Sequence, residues 1–188
     1  MSNKRLLWII LCFILLIALA LFSYRFLTAA QNHTPPESER SVISAVSAAD
    51  FTCYDAQGNQ IQLADFSGKP IVLHFWASWC LPCREELPNF QQLYELYGSE
   101  IQFIIVNLTD GTRETEAAAK SFLQENNFRF PAYFDLDLAG MQAYQVYSLP
   151  TTILIDENYT VVHREYSALP ASKLEALLQS LSADASSN

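Results

Sequence analysis

The sequence predicts an α/β domain with one central sheet of mixed strand direction, preceded by an N-terminal membrane segment. Strand-like and helix-like segments alternate from about residue 50 onward, which is typical of α/β proteins. The domain closes with two strand-like segments around a turn and a last amphipathic helix. Its strongest signal is an apolar run over 71–76 that leads into a Cys-x-x-Cys pair and then into helix formers.

Turn residues and apolar runs predict the first half of the domain. Segments 51–54 and 60–63 flank the turn-rich stretch 55–59, which indicates a β-hairpin. Helix formers follow the cysteine pair until Gly98, where we expect the helix to end. The other predicted elements of this half are a buried strand (71–76), a helix (84–97) and a second buried strand (101–107).

Periodicity predicts the second half. Strong helix formers, a short apolar run and an alternating pattern follow one another between residues 115 and 181. The predicted elements are a helix (115–126), a strand (132–134), a short helix (138–144), a hairpin of strands (151–156 and 159–165) and a helix (170–181). We therefore expect a folded domain over 50–182 and a disordered tail over 183–188.

The N-terminus carries the pattern of a membrane anchor. Residues 6–22 are uncharged and almost wholly apolar, and Lys4 and Arg5 precede them. This favours a transmembrane anchor or uncleaved signal over 6–25, with residues 1–5 in the cytoplasm and the rest of the chain outside. The alternative is a cleaved signal peptide, because small residues at 28–30 could serve as a cleavage site.

Between the predicted anchor and the predicted domain lies a polar segment, and the chain as a whole is acidic. Residues 26–49 contain Pro and Ser and lack a sustained apolar period, so we interpret them as a flexible tether. The formal net charge of −9 argues against nucleic acid and anionic lipid headgroups as partners.

The cysteine pair predicts thiol–disulfide chemistry. At a helix N-terminus, free N–H groups and the helix dipole favour an anion, so we expect Cys80 to have a lowered pKa and to be the nucleophile. Cys83 is close enough to form a disulfide with it, and a loop this small would stabilise the fold very little. Zinc is the competing interpretation, but the remaining candidate ligands are scattered (Cys53, His33, His74 and His163). We therefore expect neither a metal nor an organic cofactor, and interpret Cys53 as an apolar side chain.

The segment 75–88, FWASWCLPCREELP, resembles the active-site segment of thioredoxin-fold proteins, and specifically of the membrane-tethered TlpA/ResA-like thiol–disulfide oxidoreductases. The resemblance extends from about residue 51 to about residue 181, and it implies a thioredoxin fold with the hairpin as an N-terminal addition. It also implies that Leu149, Pro150 and Thr151 form the substrate-binding segment, with a cis-proline facing the dithiol. An extended substrate chain could pair with the strand edge there.

Three further side chains are candidates for the reaction. Relatives carry an acid at the position of Glu86 that is thought to relay protons to the second cysteine, whereas the alternative is a solvated acid in a helix's first turns. His74 could take the proton of Cys83, or it could be a hydrogen-bonded core histidine. We expect Trp79 to cover the dithiol and to contact substrate.

The resemblance implies an extracytoplasmic, membrane-anchored enzyme. Cys80 would attack a disulfide of an exported protein, such as apocytochrome c, and Cys83 would resolve the mixed disulfide. Electrons would come from a membrane thiol carrier of the CcdA/DsbD type. The alternatives are an oxidase that forms disulfides and a non-catalytic binding module that uses the groove near Pro150.

Overall fold

The computed structural model describes residues 46–185 and, before them, residues 8, 12, 13, 15–19, 21 and 23, which are helical. Among these residues, no helix combines the length and the apolar character needed to cross a membrane. The predicted cytoplasmic segment 1–5, most of the predicted anchor 6–25 and most of the tether 26–49 lie outside the described residues.

The described residues from 46 onward form eight strands and four α-helices. A single 3₁₀ turn (Leu63–Phe66) follows the third strand. The strands are β1 (Val46–Ser47), β2 (Thr52–Tyr54), β3 (Gln60–Gln62), β4 (Ile71–Trp76), β5 (Gln102–Asn107), β6 (Ala132–Phe134), β7 (Thr151–Ile155) and β8 (Thr160–Glu165). The helices are α1 (Leu81–Tyr97), α2 (Glu116–Glu125), α3 (Ala139–Ala143) and α4 (Ala171–Ala185).

All eight strands form one sheet in the order β1-β8-β7-β4-β5-β6-β2-β3. The central strand β4 pairs in parallel with β5 and antiparallel with β7, so the sheet is mixed as predicted. Because β4 and β7 are antiparallel, the end of β4 lies beside the start of β7, with Phe75 opposite Thr151. This register brings the cysteine segment and the Pro150 segment to the same end of the sheet.

Strand β4 is wholly buried because both faces of the sheet are covered. Successive side chains of a strand point to opposite faces. Val72 and Trp76 pack in a cluster with residues of α1, α2 and α4. Ile71, Leu73 and Phe75 pack in a second cluster, which includes residues of β2 and the segment after α3.

The hairpin forms as predicted: β2 and β3 pair antiparallel, and Gly58 in the turn between them has φ +83°. The boundaries at the two ends of the domain differ from the prediction. Residues 46–47, expected in the tether, form β1 on the edge of β8. The last helix, expected to end at residue 181, continues through Ala185 because no glycine or proline stops it. Residues 183–185, which were predicted as tail, are therefore helical, and residues 186–188 lie outside the described residues.

Candidate active site

The two cysteines form a disulfide at the start of α1. Cys80 is the residue that caps the helix, and the Cα atoms of Cys80 and Cys83 lie 5.3 Å apart. The backbone N–H of Cys83 donates to the Sγ of Cys80 over 3.3 Å. Cys80 is 4% exposed and Cys83 is fully buried, so Cys80 is the more accessible of the two residues. This arrangement suits an attacking Cys80 and a resolving Cys83.

The start of α1 provides the polarity that an attacking thiolate needs. A residue that caps a helix lies where the first N–H groups have no partner within the helix and where the dipole is positive. The Sγ of Cys80 accepts one of those N–H groups. Pro82, in the first turn, has no N–H to donate, and none is needed there.

The Pro150 segment lies at the same end of the sheet as the disulfide, and the Leu149–Pro150 peptide bond is cis, as predicted. Pro150 and Thr151 are buried, and the Thr151 hydroxyl donates to the Ser148 carbonyl over 2.8 Å. Leu149 and Trp79 line the same open groove, and Trp79 is 41% exposed. The structure therefore brings these predicted substrate-binding residues to one place.

Glu86 is buried, unlike the solvated acid that was the alternative interpretation. The residue is 2% exposed, and its Oε1 accepts a hydrogen bond from the Leu169 N–H over 3.1 Å. Oε2 is buried and has no hydrogen-bond partner among the described residues. Burial raises the pKa of Glu86 to about 7, and the charge of Glu165 adds to the rise. A carboxyl group in this state can exchange a proton at neutral pH.

His74 lies in the core on β4. Its Nδ1 is 3.0 Å from the Thr152 hydroxyl, and its ring centroid is 4.1 Å from that of Phe90. Burial lowers the pKa of His74 to about 3, so the imidazole is neutral at physiological pH. These contacts favour the core interpretation of His74; its role as a proton acceptor stays a hypothesis.

Glu114 contacts the active-site loop, and the sequence patterns did not indicate it. It is fully buried, and its carboxylate accepts from the backbone N–H and the hydroxyl of Ser78, over 3.1 and 2.8 Å. It also accepts from the Asn107 side chain over 2.9 Å. Ser78 lies two residues before Cys80, so Glu114 ties the loop after β5 to the loop that carries the nucleophile. The only signal in the sequence is an acid in a polar loop, which is also typical of a solvated one.

Among the described residues, the candidate zinc ligands Cys53, His74 and His163 do not form one site, and His33 lies outside the described residues. Cys53 lies on β2, which β5 and β6 separate from β4, and burial raises the pKa of its thiol to about 12. His163 lies on β8 opposite Leu154. Within the described part of the chain, no group of three or more His, Cys, Asp or Glu residues could hold a metal ion.

Comparison with known proteins agrees with this geometry. Residues 45–164 match the model of the AhpC/TSA family. The chain is 35% identical over 134 residues to the thiol-disulfide oxidoreductase ResA of Bacillus cereus, covering 71% of this chain and 76% of that protein. It is 31% identical over 170 residues to ResA of Geobacillus kaustophilus, covering 89% and 92% of the two chains.

The chain belongs to the AhpC/TSA family. Its fold is also that of StoA from Bacillus subtilis, with a TM-score of 0.61 and 28% identity over 71% of this chain and 98% of StoA. The predicted thioredoxin fold and the resemblance to ResA-like proteins are confirmed. The protein is a thiol–disulfide oxidoreductase, and the Cys80–Cys83 disulfide is its redox centre.

Proposed function

We propose that this oxidoreductase reduces disulfides in exported proteins, of which apocytochrome c is an example. The observation that carries the proposal is the complete burial of Cys83, in the same helix as the buried acid Glu86. Burial disfavours a thiolate at Cys83. A strong oxidant needs a stabilised reduced form. Burial of Cys83 adds no such stabilisation, so the reduced pair has only that of Cys80 at the helix start, which supports a reducing dithiol.

The reaction transfers two electrons from the dithiol to the substrate. The Cys80 thiolate attacks one sulfur of the substrate disulfide, forms a mixed disulfide and expels the other sulfur as a thiolate. Cys83 loses its proton and attacks the Sγ of Cys80, which closes the Cys80–Cys83 disulfide and releases the second substrate thiolate. The two substrate thiolates take up two protons. Glu86 is the group that would accept the proton of Cys83.

The proposed location is the outer face of the cell membrane, with a single anchor over residues 6–25. The apolar run and the basic Lys4 and Arg5 before it support this orientation. A dithiol outside the cell needs a source of electrons, and a membrane thiol carrier of the CcdA/DsbD type would re-reduce Cys80–Cys83.

The reduction potential of the Cys80–Cys83 couple tests the direction of the reaction. The full chain is equilibrated with thiol buffers of known potential, and the oxidised fraction is measured by alkylation of free thiols. We expect a value near that of thioredoxin, about −270 mV. A value near that of DsbA, about −120 mV, would mean a disulfide-forming oxidase and would overturn the proposal.

A matched pair of variants separates catalysis from simple binding. Cys80→Ser removes the nucleophile, so reduction of a protein disulfide is expected to stop. Cys53→Ser changes a thiol outside the redox centre, so it is expected to leave the reaction in place. Reduction that survived in Cys80→Ser would show that the pair is not the reacting group.

A further inference from the structure

An open groove of about 450 Å³ lies next to the redox centre. Its apolar lining includes Leu108, Met141 and Val146, and Leu149 and Trp79 belong to it as well. Trp79 directly precedes Cys80 and Leu149 directly precedes Pro150. The groove therefore includes the residue just before Cys80 and the residue just before Pro150, so the chain on either side of a substrate cysteine could reach it.

Two features of the rim indicate what the groove can accept. Tyr147, on the rim, is 83% exposed, and exposed aromatic side chains beside an apolar surface are enriched at binding sites. Asp110 also lines the groove. Its pKa is lowered, mainly because its carboxylate accepts the N–H groups of Glu114 and Thr112, so this side chain stays ionised at neutral pH. An apolar side chain fits this surface, whereas an acidic one would meet the charge of Asp110.

Arg113 stacks on the tryptophan of this groove. Its guanidinium carbon is 3.3 Å from the centre of the Trp79 ring, which is a close cation–π stack. The Asp110 carboxylate accepts the Arg113 N–H over 2.8 Å, and the neighbouring Glu114 is bonded to Ser78. The loop after β5 is therefore held by hydrogen bonds at Arg113 and at Glu114. From this loop Arg113 covers the indole of Trp79, which remains partly exposed.

We propose that Arg113 is a positioning residue that holds Trp79 as the wall of a subsite for an apolar side chain next to the substrate cysteine. This proposal rests on the proposed function, since the occupant is an extended segment of a protein whose disulfide is being reduced. The apolar lining supplies the affinity, and the stacked arginine keeps the indole from turning out of the groove. Arg113 does not contact the reacting sulfur atoms in this scheme; it acts through Trp79.

The test uses the reduced full chain and symmetric disulfides of three peptides, Ala-Xaa-Cys-Xaa-Ala, in which Xaa is Leu, Ser or Asp. Single-turnover oxidation of the protein is followed as the peptide concentration rises, which yields a plateau rate and a half-saturating concentration. The wild-type chain is expected to prefer Leu over Ser and Ser over Asp. In Arg113→Ala, the preference for Leu over Ser is expected to fall by about two- to fivefold, mainly through the half-saturating concentration.

Two further variants make the result specific. Arg113→Lys keeps a cation that can lie over the indole, so its preference is expected to fall between those of Arg113→Ala and the wild type. Arg129→Ala removes an arginine of equal charge that lies outside this groove, and it is expected to behave as the wild type. A purely structural role for Arg113 would slow the Leu and Ser peptides by the same factor, and that result would overturn the proposal.

The outcomes also separate this inference from the proposed function. If the wild-type chain reduces all three peptides equally well, the subsite does not exist, but the reductase proposal stands. If the chain exchanges with the small neutral hydroxyethyl disulfide and reduces none of the peptides, both proposals fail.

Discussion

Two buried carboxyl groups differ in their hydrogen bonds: Glu86, three residues after Cys83, and Glu114, which contacts Ser78. Glu114 accepts three hydrogen bonds, and both of its oxygens are used. Glu86 accepts one, from the Leu169 N–H, and its second oxygen is buried without a partner among the described residues. Exposure does not distinguish them, since both are almost completely buried.

The difference lies in how each acid meets the cost of burial. A buried charge is costly unless donors surround it, and without them the group holds its proton more tightly instead. Glu114 has the donors, so it can tie the loop of Ser78 to the end of β5. Glu86 has only the Leu169 N–H, which does not offset its burial, so its pKa rises to about 7 and it can exchange protons at neutral pH. Glu114 therefore stabilises the structure, and we expect Glu86 to take part in the reaction.

The largest expected effect is on stability, in Glu86→Gln. The pKa of Glu86 is about 7 when folded and 4.5 when unfolded, so the folded chain keeps a proton that the unfolded chain loses. Glu86 alone should therefore remove roughly 3 kcal/mol of unfolding free energy as pH rises from 4.5 through 7. The amide of Glu86→Gln does not titrate, so the unfolding free energy of the variant minus that of the wild type should rise by this amount over the same pH range. Urea unfolding at pH 4.5 and pH 8 measures both, and parallel changes in the two proteins would contradict the prediction.

The same substitution is expected to slow the resolving step. If Glu86 accepts the proton of Cys83, Glu86→Gln should slow closure of the Cys80–Cys83 disulfide by about 100-fold at pH 7. The inflection near pH 7 in the rate profile should disappear with it. Rapid mixing of a preformed mixed disulfide on Cys80 measures this rate. Glu85→Gln, at the exposed neighbouring position, is the matched control. An inflection that persists in Glu86→Gln would assign the proton to another group.

The effect of Glu114→Gln on the unfolding free energy is expected to be smaller than that of Glu86→Gln, and it is a loss. The amide can accept fewer of the bonds from Ser78 and Asn107, and its NH₂ group faces donors where an acceptor is needed. The unfolding free energy should fall by about 2 kcal/mol. Glu95→Gln, an exposed acid on α1, serves as the control. A loss no larger than that of the control would mean that Glu114 does not tie the two loops together.

Much of the site could be predicted because its signals are local. The uninterrupted apolar run of β4 and the cysteine pair at the start of α1 are contiguous in sequence, and the cis bond at Pro150 follows from the family resemblance. The signal for the helix at Glu116–Glu125 is also local, because the side chain of Thr115 caps the start of this helix.

The features that could not be predicted depend on tertiary contacts. β1 has only two residues, too few for a periodic pattern, and it forms because β8 offers an edge. Glu114 belongs to a polar loop, and its burial arises only when that loop packs against Ser78. The stack of Arg113 on Trp79 joins residues 34 positions apart in the same way.

The smallest effect on the reaction is expected from His74→Asn. The pKa of His74 is about 3 when folded and 6.5 when unfolded, so its contribution to stability is present above pH 6.5 and is lost as pH falls towards 3. This slope is opposite to that of Glu86, and the two partly cancel between pH 4.5 and 6.5. Losing the contact with Phe90 should cost about 1 kcal/mol of unfolding free energy.

The rate inflection near pH 7 should remain in His74→Asn, because a neutral imidazole does not titrate there. The profile of the resolving step, measured as for Glu86→Gln, checks this directly. If the inflection moved in His74→Asn and stayed in Glu86→Gln, the imidazole would be the proton acceptor. The Glu86 oxygen without a hydrogen-bond partner among the described residues would then have no part in the chemistry. The two variants therefore decide which buried group the dithiol uses.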